Sequence, residues 1–565
     1  VTASSHCFFR LLLSARPNKI SVIMSKHSSS ANPKQRVVVI GLDSVDPDLV
    51  KLWAKEGRLP FLRSLLDQGA WARLMSTRGM FSDSPWPTFN TGVPPSKHGF
   101  YNFQAIQNGT TDIVRVGEHC SRFLPFWWLL RDAGKRVAVF DVPKTKPIPG
   151  IDGIQVSGWG EEYPLIEKSS LPISLVQELT DRFGRYPRPK ELFDPSYRHE
   201  IKSRDILLAN IERKLNAIQF LQEQDDWDLF VTVFAEAHSV GHHFYHHHDT
   251  HHWAHDPQRS PVLGQALPTT YTELDNALKE LLQGRLEDTT VFLVSVHGIT
   301  TNYSGSYLLQ GVMESLGYQV APDGGGDGSH SANSQSVSEW VKDTLIPNSL
   351  RQFINDKFVA QSHHDAMFSL QFNSGIDWQR TRAFFLPTEH FQGFIRINLQ
   401  GREPEGIVPV SDYDALCREI CHELEQLVNP DTGNRAVKRA VPITDIYQGN
   451  NLYDLPDVVV EWAEDGLIHH LNHPKFGTIS GHEAIRKAQH SEDGFVIAAG
   501  PHIRPGASVL GASTMDLAPT ILYLLGQAVP DVLDGRVLSE ILDEQLYQDR
   551  PVEHSSQTLT VPQKV

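Results

Sequence analysis

Cysteine is scarce in this chain: 565 residues hold four, Cys7, Cys120, Cys417 and Cys421. Cys417 and Cys421 stand four apart, on one helix face, with no second pair to complete a zinc ribbon or a disulfide framework. That usage fits a reducing compartment, and cytoplasmic residence is expected. Long hydrophobic runs are missing too. No apolar stretch reaches about eighteen residues, so no membrane span is expected. The short stretch CFFRLLL is broken by Arg10 and lacks a cleavage site, which makes it a poor signal peptide. Positive charge is in deficit: 51 Lys and Arg against 67 Asp and Glu leave a formal net charge of −16. A nucleic-acid scaffold would want the opposite sign. A small phosphorylated substrate stays open, because a metal ion can supply positive charge locally.

What is present reads as an ordinary globular chain, 40% hydrophobic and 21% charged. Its length exceeds one small core, so one large domain with insertions, or two domains, is expected. Residues 1–34 read as a disordered segment, with Met24 a candidate start. Residues 35–548 read as the folded body, and residues 549–565 as a disordered tail.

VVVIGLD (37–43) has the apolar run of a buried parallel strand that ends at an acid. KRVAVFDVP (135–143), DLFVTVFAE (228–236) and TTVFLVSVHG (289–298) repeat that form, with helical patterns between them. LPDVVVEW (455–462) and GFVIAAGP (494–501) read as further strands. The alternation predicts an α/β fold with a mostly parallel central sheet flanked by helices, carrying inserted smaller α+β segments. Polar residues gather at strand C-terminal ends, where open α/β sheets bind ligands. An insertion is expected over about 300–375, including the Gly/Ser-rich stretch 322–337, and a cap or subdomain over 376–454. FQGFIRINLQGREPEGIVP (391–409) alternates like a strand or a hairpin edge. DLAPTILYLLG (516–526) reads as a helix capped by Asp516 and closed by Gly526.

Several residues point to chemistry, each beside a plainer reading. Asp43 at a strand end suits a metal ligand or a general base, and equally a helix cap. Ser82 and Ser84, in FSDSPWPTFNTG (81–92), suit a nucleophile at a helix start, and equally a cap. EAHSVGHHFYHHHDTHHWAH (236–255) holds nine of the 27 histidines. His238 and His242, four apart, can reach one metal ion from one helix face. The later histidines read as a solvated loop, and metal storage there is a remote alternative. His297 ends an apolar strand before Gly298, and His490 precedes another strand. Either can serve a backbone carbonyl instead.

Taken in order, these motifs resemble the alkaline phosphatase superfamily. The series is VVVIGLD, the Ser/Thr stretch ending Thr91-Gly92 with PSKHG after it, histidines beyond a strand, SxHG, a late histidine before GFVIAAGP, and DLAPTILYLLG with DGR downstream. Within that superfamily the chain is most similar to the type I phosphodiesterase/nucleotide pyrophosphatase branch, over about residues 36–105, 225–300 and 455–540.

The resemblance implies a hydrolase of phosphate esters with a serine nucleophile and two divalent metal ions, Zn²⁺ or Mn²⁺, about 4 Å apart. Counted back from Thr91-Gly92, Ser82 falls where that branch carries a nucleophilic Thr. Ser84 stays open, because a short shift around Pro85 would bring it there. Asp43 and His297 are implied ligands of the nucleophile-side metal. His238, His242 and His490 are implied ligands of the other. The family pattern is Ser-Asp-His-Gly, whereas this chain reads Ser295-Val296-His297-Gly298, and His238 stands where the pattern has Asp. Glu236 is the expected replacement carboxylate, on the same side as His238 if the segment is a strand. Asn90, Arg396, Asn398 and Arg402 are candidate holders of phosphate oxygens or substrate. A phosphomonoesterase or mutase on the same fold is one alternative reading. A non-catalytic relative that binds a phosphorylated ligand is another.

Overall fold

The computed structural model describes residues 35–116, 121–160, 167–189, 195–322, 361–387, 391–449, 451–481 and 486–560. The expected disorder of 1–34, Cys7, Cys120 and the stretch 323–337 lie outside these residues. The described residues cluster as one compact unit.

Its centre is a nine-stranded sheet. Five adjacent strands run parallel: Thr289–Ser295, Arg36–Leu42, Leu229–Phe234, Val137–Phe140 and Gly153–Ser157. Asp493–Ala499 pairs antiparallel to Thr289–Ser295, followed by Ala70–Met75 and Ser508–Ser513, while Ser169–Leu171 closes the opposite edge. Residue alternation divides the apolar runs between two cores. Val38, Ile40 and Leu42 face one, with Phe230, Phe234, Val291 and Leu293. Val37 and Val39 face the other, with Val231, Val233, Phe292, Val294 and Val296. A strand apolar on both faces is what a sheet covered by helices on both sides requires. The expected fold class is the observed one.

The later expected strands are present and divide between two sheets. Val458–Trp462 does not join the main sheet. It lies in a separate four-stranded antiparallel sheet between Gly393–Ile397 and Val437–Pro442, with Ala383–Leu386 beyond. Gly393–Ile397 is therefore internal and wholly buried rather than an edge. Apolar runs look alike in either sheet, because the sequence pattern records burial and not the partner. The helix Tyr413–Leu424 buries Cys417 and Cys421 on one face, both as free thiols.

The helix Leu517–Leu524 has Asp516 at its N-cap position, while the side-chain capping bonds belong to the turn before it, a capping box of Ser513 with Asp516. Gly526 does take a left-handed conformation, φ 75°. The tail is ordered further than expected. His554–Ser555 pairs with Val529–Pro530, and Leu559 is fully buried. Among the described residues, no helix is long and apolar enough to cross a membrane.

Candidate metal centre and hydrolytic site

The parallel strands end together, and their ends carry the site. Asp43 follows Leu42, and His297 follows Ser295-Val296. Beyond Phe234 the chain turns into a helix, Glu236–His248, which sets His238 and His242 one turn apart on one face. Gly298–Thr301 pairs antiparallel with Ala488–Ser491, placing His490 opposite Ile299. The His297 and His490 rings stack with centroids 4.2 Å apart. A side chain at 298 would sit 2.5 Å from Ser491 Oγ, so glycine there is what allows this pairing.

Ring nitrogens of His238, His242 and His490 lie within 4.8 Å of one another. Their hydrogen bonds fix which nitrogens are available. His242 Nδ1 is 3.1 Å from the Ala488 carbonyl and must donate to it, so Nε2 keeps its lone pair. That nitrogen faces His490 Nε2 at 3.1 Å. His238 Nδ1 is 2.8 Å from Asp43 Oδ2 and donates to it, which leaves its Nε2 as an acceptor. The carboxylate behind His238 and the carbonyl behind His242 are the arrangement that orients metal-ligating histidines, so the donor set fits a divalent ion. Burial drives two of the imidazoles toward the neutral form, His297 down to about 4 and His242 well below its ordinary value. Burial alone would raise the Asp43 carboxyl, but His238, His297 and the Trp86 N–H together hold it well below the usual carboxylate range.

Asp43 Oδ1 accepts from Trp86 Nε1 at 2.8 Å and lies 3.6 Å from His297 Nε2. Gly41 makes room for that indole: a Cβ there would meet Trp86 Cη2 at 2.5 Å. Ser44, at φ 57°, is a site residue absent from the sequence reading; its Oγ lies 3.2 Å from His297 Nδ1. The only signal for it was a serine directly after a strand-end aspartate. Val296 is fully buried in an apolar cluster, continuing the alternation of Phe292 and Val294.

The two serines are distinguished by their surroundings. Ser84 Oγ donates to the Phe100 carbonyl at 3.0 Å and is fully buried. Ser82 Oγ donates to the side-chain amide of Gln392 at 3.1 Å. Gln392 follows Phe391, whose ring is 6.0 Å from that of His490 and 6.3 Å from that of His242. Between the serines, Asp83 forms an ion pair with Lys144 and accepts from the Phe103 N–H. Lys144 also donates to the Asp83 carbonyl at 2.7 Å. Lys144 and Gln392 carried no motif, since each comes from a distant segment.

The remaining expected residues lie elsewhere. Glu236 opens a helix rather than ending a strand, so two residues on it does not share a face with His238. It is fully buried, accepts from the Tyr186 hydroxyl, and burial raises its pKa. Asn90 is buried and donates to the Pro143 carbonyl at 3.1 Å. Arg396, Asn398 and Arg402 are neither exposed nor turned to the histidines. Arg396 and Arg402 pair with Glu403, and Arg402 also pairs with Asp457. Asn398 donates to the carbonyls of Trp378, Thr381 and Glu405. They are the internal ties of the second sheet. The late histidines are not a solvated loop either, since His246, His247 and His252 are buried.

No curated protein matches the sequence. Among solved structures, the chain is similar to phosphonoacetate hydrolase from Sinorhizobium meliloti 1021. Identity is 13%, the match covers 87% of this chain and 96% of that one, and the TM-score is 0.45. It is also similar to murine ectonucleotide pyrophosphatase/phosphodiesterase 5, with 13% identity, coverage of 90% and 100%, and a TM-score of 0.42. The human protein of that name gives 11% identity, coverage of 91% and 99%, and a TM-score of 0.41. The family model for type I phosphodiesterase / nucleotide pyrophosphatase matches residues 37–475. With most of its length matched and its polar residues gathered where the parallel strands end, the chain belongs to the type I phosphodiesterase/nucleotide pyrophosphatase family.

Proposed function

We propose that the protein is a metal-dependent phosphodiesterase or pyrophosphatase that acts on a small phosphorylated substrate, with Ser82 as nucleophile. The observation that carries this reading is the convergence of His238, His242 and His490, with ring nitrogens within 4.8 Å, beside Asp43. These three histidines would hold one ion, and Asp43 with His297 the second. Imidazole-rich sites suit Zn²⁺, and Mn²⁺ is the other candidate. Bound there, divalent ions supply positive charge to the phosphoryl oxygens and lower the pKa of a hydroxyl.

The chain's own residues do the rest. Ser82 Oγ forms a bond to phosphorus as the ester oxygen leaves, giving a phosphoserine that water then hydrolyses. Gln392 sets the rotamer of that hydroxyl. The Lys144–Asp83 pair holds the loop on which it sits. Asp43 keeps His238 in one tautomer. Ser84 is already committed to the Phe100 carbonyl, which favours Ser82.

Val296, buried among apolar side chains where the family pattern has a carboxylate, favours a second reading: a relative that binds a phosphorylated ligand without turnover. One experiment separates the two. Metal content is measured on protein purified without chelator, and hydrolysis of bis-p-nitrophenyl phosphate and p-nitrophenyl phosphate is assayed on the same sample. About two metals per chain with diester cleavage supports the enzyme. One metal or none, with neither ester cleaved after addition of Zn²⁺ or Mn²⁺, leaves the binding role.

A further inference from the structure

We propose that Glu200, His246 and His247 form a second cation site, for one divalent ion of the Zn²⁺ class, separate from the catalytic histidines. Ligand atoms of these three buried residues lie within 4.8 Å of one another. The site joins two helices. Glu200 lies in the first turn of Tyr197–Gln222, and His246 and His247 lie in the last turn of Glu236–His248. His246 continues the stripe of His238 and His242, about 6 Å further along the helix axis than His242.

Glu200 and His247 each have the outer partner that a metal ligand needs. His247 Nδ1 lies 3.1 Å from Ser260 Oγ, while its Nε2 faces Glu200 Oε1 at 3.0 Å. Glu200 Oε2 is held by Arg259 at 2.9 Å, which leaves Oε1 to serve as a single-oxygen ligand. His246 Nδ1 is buried without a hydrogen-bond partner, an unfavourable state that a cation would relieve. Two imidazoles and one carboxylate are a Zn²⁺ donor set with one open position. A cavity of about 450 Å³ borders the site at His247, with His255 and Ser260 also in its lining.

One group opposes binding. The Lys487 ammonium lies 3.3 Å from His246 Nε2 and must turn away. Its side chain is half-buried, so solvent can receive it. An ion here would pin the end of the helix whose first turns carry His238 and His242.

The test uses the full chain, stripped of metal and titrated with Co²⁺ while the visible absorption of the ion is followed. An Asp43→Ala/His242→Ala/His490→Ala protein lacks ligands of both proposed catalytic ions and should still bind one Co²⁺. Adding Glu200→Gln or His247→Gln should weaken that binding at least tenfold, with the far-ultraviolet circular dichroism unchanged. Lys487→Gln leaves the ligand set whole and should tighten the same site several-fold. No ion bound by the Asp43→Ala/His242→Ala/His490→Ala protein would overturn the proposal. So would an ion whose affinity is indifferent to Glu200→Gln, His247→Gln and Lys487→Gln. The cluster would then be a hydrogen-bonded clamp between the two helices.

Discussion

Asp43 Oδ2 and His238 Nδ1 meet at 2.8 Å, joining the end of the first strand to the first turn of the histidine-bearing helix. The contact makes Asp43 both a strand-end carboxylate facing His297 and the group that sets the His238 tautomer. Asp43→Asn keeps the shape and removes the charge. Metal affinity measured by competition with a chromophoric chelator should fall about 10- to 100-fold, the cost usual for such partners. An affinity equal to wild type would refute the role given to Asp43.

Ser82 and Ser84 separate by their hydrogen bonds. Ser82→Ala should lower diester hydrolysis at least about a thousandfold, leaving only what binding and charge provide. Ser84→Ala removes one bond to a backbone carbonyl, so turnover should stay within about tenfold of wild type, with a stability loss of about 1 kcal/mol. Steady-state kinetics on the two variants decides, and the reverse pattern would transfer the nucleophile to Ser84.

Arg402 and Arg396 answer to stability and not to substrate. Arg402 pairs with fully buried Asp457, and removing the guanidinium strands that carboxylate. Arg402→Ala should cost about 3–5 kcal/mol in denaturant unfolding. In the folded fraction, KM should stay at the wild-type value. A raised KM with unchanged stability would restore the sequence expectation of a phosphate-holding arginine.

His98 gives a pH dependence with a definite sign. Burial, with a smaller contribution from Lys144, pushes its imidazole from 6.5 down to about 3. The ring is held neutral, with Nδ1 accepting from the Phe100 N–H and Nε2 donating to Thr88 Oγ1. Above about pH 6.5 folded and unfolded chains are both neutral here, and stability from this group is flat. Below that only the unfolded chain takes up the proton, so stability falls by up to about 1.4 kcal/mol per pH unit toward pH 3. Unfolding curves between pH 7 and pH 4 for wild type and His98→Gln should converge as the pH falls. Parallel curves would show that another group dominates.

Chelation tests the metal centre directly. Dialysis against a strong chelator should abolish turnover, and Zn²⁺ or Mn²⁺ should restore it. Turnover that survives complete removal of metal would sink the metal-dependent reading.

The sequence alone determined the parallel core and the strand-end residues. Runs such as VVVIGL and VFLVS are apolar at both parities, and only a sheet covered on both faces accommodates that. Turn residues and helical spacing likewise gave His238 and His242 a common face, because i and i+4 are neighbours whatever the helix packs against. Only the tertiary structure decided what depends on long-range partners. It put Val458–Trp462 in the second sheet and committed Arg396, Asn398 and Arg402 to internal ties. It turned Glu236 toward Tyr186, set Ser44 against His297, and brought Lys144 to Asp83 and Gln392 to Ser82 from segments with no shared motif. Local pattern fixes which face of an element is apolar. Which polar group meets which is fixed by the packing of elements hundreds of residues apart, such as Ser82 and Gln392 at a separation of 310.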